Sequence, residues 1–176
     1  MALASETEKG KNYILKEKAL ADHIGKVYNA IPVDLGDGTT STDRLYIRDG
    51  KVVCIAEIKN REMSLSDLNR LGTYIISYDK IDRGVALSSI LHTPFFLFVY
   101  LIHSDDIARF KISDETGREV CNYTIEKTKT KYDCNGGMVM RENAYMAFDG
   151  MTIIKGNLNG AVTEHKERAG SEEDKV

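Results

Sequence analysis

Apolar and polar positions alternate in distinct regimes along this chain. From Glu6 to Asn29 the apolar residues recur at helical spacing. At about 100° per residue, Tyr13, Ile14, Leu20, Ala21, Ile24, Val27 and Tyr28 share one broad face, with Leu15 outside it. Ser5 is placed to cap this helix, and Glu8 completes a capping box. Between Thr42 and Arg61 the pattern shortens to a period of two, broken at Asp49-Gly50, which predicts a β-hairpin. Ser64 then opens a second predicted helix, with Leu65, Leu68, Leu71, Ile75, Tyr78 and Ile81 on its apolar face and Tyr74 and Lys80 flanking it. Gly84 is expected to interrupt that helix. Phe95 to His103 is apolar on both faces and predicts a buried central strand; Ile107 to Ser113 predicts another.

Three charged residues fall where this pattern places apolar ones. Glu17 lies near the centre of the first helix's apolar stripe. Glu57 and Lys59 follow Val53 and Ile55 on one face of the second hairpin strand, whose two faces are both mostly apolar. A carboxylate and an ammonium on a central strand are costly to bury without partners or a purpose. The side that Asp43 takes depends on the turn. A two-residue loop pairs it with Ala56, facing away from Glu57; a three-residue loop, Arg48-Asp49-Gly50, pairs it with Ile55 and sets it diagonal to Glu57.

Asp43 followed by Glu57-Ile58-Lys59 resembles the signature of the PD-(D/E)XK nuclease superfamily, with Thr42 in place of the proline that names the motif. The resemblance spans roughly residues 6–113 and extends to small phage-encoded members. It implies an α/β fold of restriction-endonuclease-like type, a mixed β-sheet flanked by helices around an αβββαβ core. It also implies hydrolysis of phosphodiester bonds, in DNA first and with RNA left open. Asp43, Glu57 and the Ile58 carbonyl would offer hard oxygen ligands suited to Mg²⁺ or Mn²⁺, with Glu17 assisting directly or through water. Lys59 would orient or activate water, or stabilise the developing charge. Catalytic roles therefore fall on Asp43, Glu57, Lys59 and Glu17. The alternative is a nuclease fold that has lost turnover and serves as a nucleic-acid-binding or protein-interaction module.

Composition narrows the setting. The 176 residues, 42% hydrophobic and 29% charged, suit one globular domain, expected over residues 1–160 with a charged, disordered tail over 161–176. A net charge of −3 supplies no global field for nucleic acid, so any such site is a local patch. Arg44, Arg48, Arg61, Arg70 and Arg83 are candidates, as are Lys127, Lys129 and Lys131 at strand spacing; the latter three equally suit an edge strand that resists aggregation. Cys54, Cys121 and Cys134 lack CxxC spacing, which points to a reducing compartment rather than a zinc site or disulfide framework. The first residues lack a signal-type apolar run, and no stretch has the length of a membrane span. These features predict a cytoplasmic protein, in the bacterial host cell if phage-encoded, with nucleic acid as partner, no membrane, and a homodimer as one compatible assembly.

Overall fold

The structure is a computed structural model and describes residues 7–35, 42–133 and 136–158. The expected cap Ser5, the glycine-rich turn over 36–41 and the charged tail lie outside the described residues. The first helix, α1 (Glu8–Tyr28), starts instead at Thr7, whose side chain accepts a hydrogen bond from the Gly10 amide. It buries Ala19, Leu20, Ala21 and Ile24, whereas Ile14 and Val27, assigned above to the apolar face, are about half exposed.

Strands β1 (Ile31–Asp34), β2 (Arg44–Arg48) and β3 (Lys51–Arg61) follow. Ile31-Pro32-Val33 is an edge strand paired with β2, where the proline's missing N–H is tolerated. After β3 the predicted long helix breaks in two. Helix α2 (Leu65–Leu71) is held by a Ser64/Asp67 capping box and ends at Gly72 with φ 74°. Strand β4 (Tyr74–Ser77) comes next, and only then helix α3 (Tyr78–Leu91). Gly84 lies inside α3 without interrupting it. A Cβ there would fall into the Phe95 ring, so the glycine permits close approach of helix to sheet. Strands β5 (Phe95–Leu101), β6 (Asp106–Ser113), β7 (Tyr123–Asp133), β8 (Gly136–Met146) and β9 (Thr152–Lys155) complete the chain. The strand read as far as His103 thus ends at Leu101, and His103 is exposed in the turn beyond.

Two sheets result, a six-stranded one ordered β1-β2-β3-β5-β6-β9 and a three-stranded one ordered β4-β8-β7. In the larger sheet β3 and β5 are parallel and the other neighbours antiparallel. The α2–β4–α3 segment supplies the crossover that a parallel pair needs. This is the expected mixed α/β architecture, with β4 inserted between the helices.

Both faces of β3 are covered. On one, Ala56 and Ile58 pack with Leu20, Ala21 and Ile24 of α1 and with Phe98 and Tyr100. On the other, Ile55 packs with Leu97, Val99 and Phe110, with Leu68 and Ile81 of α2 and α3, and with Tyr74, Ala144 and Met146 of the smaller sheet. Burial on both faces explains the near-continuous apolar character of β3 and β5. Among the described residues, no helix is long and apolar enough to cross a membrane.

Candidate active site

The hairpin register decides whether the acids meet. Arg48 pairs with Lys51 across a two-residue Asp49-Gly50 turn, and both turn residues have positive φ, 52° and 73°. That is the primed turn that matches strand twist. Continued unbroken, this register would pair Asp43 with Ala56. It is not continued: the pairing shifts between Tyr46 and Ile47, so that Ile47 faces Val52 and Tyr46 faces Cys54. Val53 is the surplus residue of a β-bulge. It packs with Cys54 on the α1 side rather than with Ile55. Beyond the bulge Arg44 pairs with Ala56, and one further step sets Asp43 opposite Glu57. The turn is the two-residue one weighed from the sequence, but the pairing of Asp43 with Ala56 expected from it does not follow. The bulge brings Asp43 to the Glu57 face by a third route.

Three side chains now gather. Lys59 Nζ lies 2.6 Å from Glu57 Oε1 and 3.5 Å from Asp43 Oδ2. Asp43 Oδ2 also accepts the Ile58 backbone N–H at 2.8 Å, which fixes the carboxylate at the edge of β3. The N–H and C=O of one strand residue point to the same edge, so the Ile58 carbonyl opens on the Asp43 side. A fourth side chain joins them from the first turn of α3. Lys80 Nζ lies 3.4 Å from Glu57 Oε1 and 3.9 Å from Asp43 Oδ1. From the sequence Lys80 reads more readily as a solvated lysine flanking a long helix. Because Gly72 ends α2 and β4 turns the chain, α3 begins beside the carboxylates.

The electrostatics follow from burial. The Glu57 side chain is fully buried, and burial lifts its pKa, with Lys59 pulling it down and Asp43 pushing it up. Burial works against the Lys59 ammonium, but Glu57 and Asp43 outweigh it and hold its pKa above the usual lysine range. Neither Glu57 oxygen has an aligned hydrogen-bond donor, so Lys59 and Lys80 meet Oε1 as ion pairs and Oε2 is left bare. A buried carboxylate oxygen without a donor is costly unless it has a ligand.

Glu17 sits half-buried on α1, and desolvation raises its pKa from 4.5 to about 7. It feels the charges of Lys59, Asp43, Arg44 and Glu57, which places it within electrostatic reach of the group. Among the described residues no three His, Cys, Asp or Glu side chains form a cluster able to hold a metal ion, so Glu17 does not close on Asp43 and Glu57. The residues nevertheless fit a hard cation: two carboxylates of unlike burial, a bare Glu57 oxygen and a carbonyl on the same edge are oxygen donors only.

The arginines divide. Arg44 pairs with Asp34 and Arg70 with Asp67. The Arg48 guanidinium donates to the Tyr28 carbonyl, on the α1 side. Arg61 lies over the ring of Tyr74, 5.4 Å from its centroid. Tyr74, read from the sequence as a core-edge tyrosine, is buried in β4. Lys127 and Lys129 are exposed on β7, an edge strand of the smaller sheet.

Comparison with known proteins agrees with the motif. No curated protein matched the chain. Among solved structures, the chain is similar to Hjc, a Holliday junction resolvase from Archaeoglobus fulgidus. That match has a TM-score of 0.40 and 11% identity, covering 55% of this chain and 72% of that one. Residues 11–135 match the family described as "Phage putative PDDEXK endonuclease". That match spans most of the chain and includes α1, the bulged hairpin and the Asp43, Glu57, Lys59 and Lys80 positions, so the chain belongs to this PD-(D/E)XK-type nuclease family.

Proposed function

We propose that this protein is a Mg²⁺- or Mn²⁺-dependent deoxyribonuclease whose reaction centre is Asp43, Glu57 and Lys59. The observation that carries this reading is the buried Glu57 carboxylate with one bare oxygen, facing Asp43 and Lys59 where β3 runs past the end of its pairing with β2. Asp43, Glu57 and the Ile58 carbonyl would hold the cation, with Glu17 completing the shell directly or through water. When bound, a divalent cation acidifies a water molecule and polarises a phosphoryl oxygen. Lys59 keeps its proton through the neutral range, because Glu57 and Asp43 hold its pKa up. Its ammonium orients the attacking water and donates to the oxygen on which charge develops. Asp43, tied to the Ile58 N–H, keeps its carboxylate in one orientation as substrate arrives. Lys80 adds a second positive charge on the same side and offsets the phosphate's repulsion by the two acids.

The test is incubation of the purified protein with single-stranded, double-stranded and branched DNA, in Mg²⁺, Mn²⁺ or EDTA. Cleavage that needs the metal and falls at least a hundredfold in Glu57→Ala and Lys59→Ala is expected. Binding without cleavage in any metal would leave a binding module and refute the enzyme. RNA in a parallel arm decides the sugar.

A further inference from the structure

Most cations near the site have an anionic partner. Lys59 and Lys80 share Glu57 and Asp43, Arg70 has Asp67, and Arg44 has Asp34. Arg61 differs: among the described residues no carboxylate lies within ion-pair distance of it. Instead its Nη1 donates to the Asn60 carbonyl at 3.1 Å, and its guanidinium lies over the Tyr74 ring. The ring beneath it is itself buried. The side chain is therefore fixed from two sides and only partly exposed. Holding a guanidinium half-buried without an anion is costly, and the cost is recovered when an anion arrives.

Position indicates which anion. Ile55, Glu57, Lys59 and Arg61 alternate onto one face of β3, so Arg61 stands two residues, about 6.6 Å, beyond Lys59. It extends the line of positive charge away from the two acids. A planar guanidinium with free N–H edges matches a phosphate's oxygens in a way an ammonium does not.

We propose that Arg61, seated on Tyr74, is a phosphate-binding residue that grips the backbone phosphate next to the one cleaved. The assignment rests on the nuclease reading above and adds the strand's path to it: the backbone runs along β3 from Lys59 towards Arg61. Tyr74 is a positioning residue, since its ring touches the guanidinium and not the nucleic acid.

Binding of fluorescein-labelled single-stranded, duplex and branched oligonucleotides, followed by anisotropy in EDTA across a salt series, isolates this contact from turnover. Arg61→Gln is expected to weaken binding about tenfold and to lower the slope of log affinity against log salt by about 1. Arg61→Lys should restore the slope but only part of the affinity, because charge is kept and the fork is lost. Lys111→Gln, which removes the one exposed charge of the otherwise largely buried β6, controls for net charge. Equal affinities for Arg61→Gln and Lys111→Gln would overturn the assignment. Metal-dependent cleavage by Arg61→Gln with unchanged KM would also overturn it, while leaving the nuclease reading intact. A wild-type protein that neither binds nor cleaves any nucleic acid would end both.

Discussion

Glu17 makes the stability of this protein fall where most proteins are comfortable. Its carboxyl is half-buried on α1 and titrates at about 7 rather than 4.5, chiefly because burial disfavours the charged form. The native state thus keeps a proton that the unfolded chain releases between those values. More protons bound natively means that stability declines as pH rises through this window. Below pH 4.5 both states are protonated and the effect vanishes; above 7 it is complete. The separation is worth about 3 kcal/mol at most, and partial exposure to water reduces it to about 1–3 kcal/mol. Glu17→Gln has nearly the same shape and no charge to desolvate. Urea unfolding followed by circular dichroism at pH 5 and pH 8, without divalent cations, reads the difference. The variant should match the wild type near pH 4.5 and exceed it at pH 8 by that amount. A Glu17→Gln protein no more stable than wild type at pH 8, or one with the same pH slope between 5 and 8, would refute the placement of Glu17 against the sheet.

Other expectations follow from packing and charge. Gly84→Ala drives a methyl into the Phe95 ring and should cost about 1–3 kcal/mol, visible as a lowered urea midpoint with an unchanged m-value. Lys80→Met removes the cation 3.4 Å from Glu57 while Lys59 remains, so single-turnover cleavage should slow about tenfold, less than for Lys59→Ala; an unchanged rate would remove Lys80 from the site.

Much of this was legible in the chain itself. Glu17, Glu57 and Lys59 stood out because each breaks an apolar pattern, and the structure buries each of them in part or in full. The strand and helix around them were also readable, since burial on both faces leaves β3 and β5 almost uninterrupted runs of apolar residues. What was not legible came from tertiary choices that leave weak local marks. Leu65 to Ile81 fits a helical stripe through Ile75 well enough to conceal β4, where Ile75 is exposed and Tyr74 and Ile76 are buried instead; Gly72 was the signal that the helix stops. Val53 gives no sign that it will be the surplus residue of the hairpin. The lone mark of Lys80 is its distance from a helix start that only the structure reveals. Ile14 and Val27 belong to the helical stripe by angle, yet each stays about half exposed.

That surplus residue separates two jobs within one hairpin. The tip is free to change in length, because the alignment of its strands is renegotiated at Val53 before reaching the acids. Were Val53 drawn into the ladder opposite Tyr46, each later pair would slip by one, and Asp43 would face Ala56 on the α1 side, leaving Glu57 and Lys59 without their third member. The working geometry is therefore guarded by a valine with no chemistry of its own, several positions from any group that would touch a phosphate.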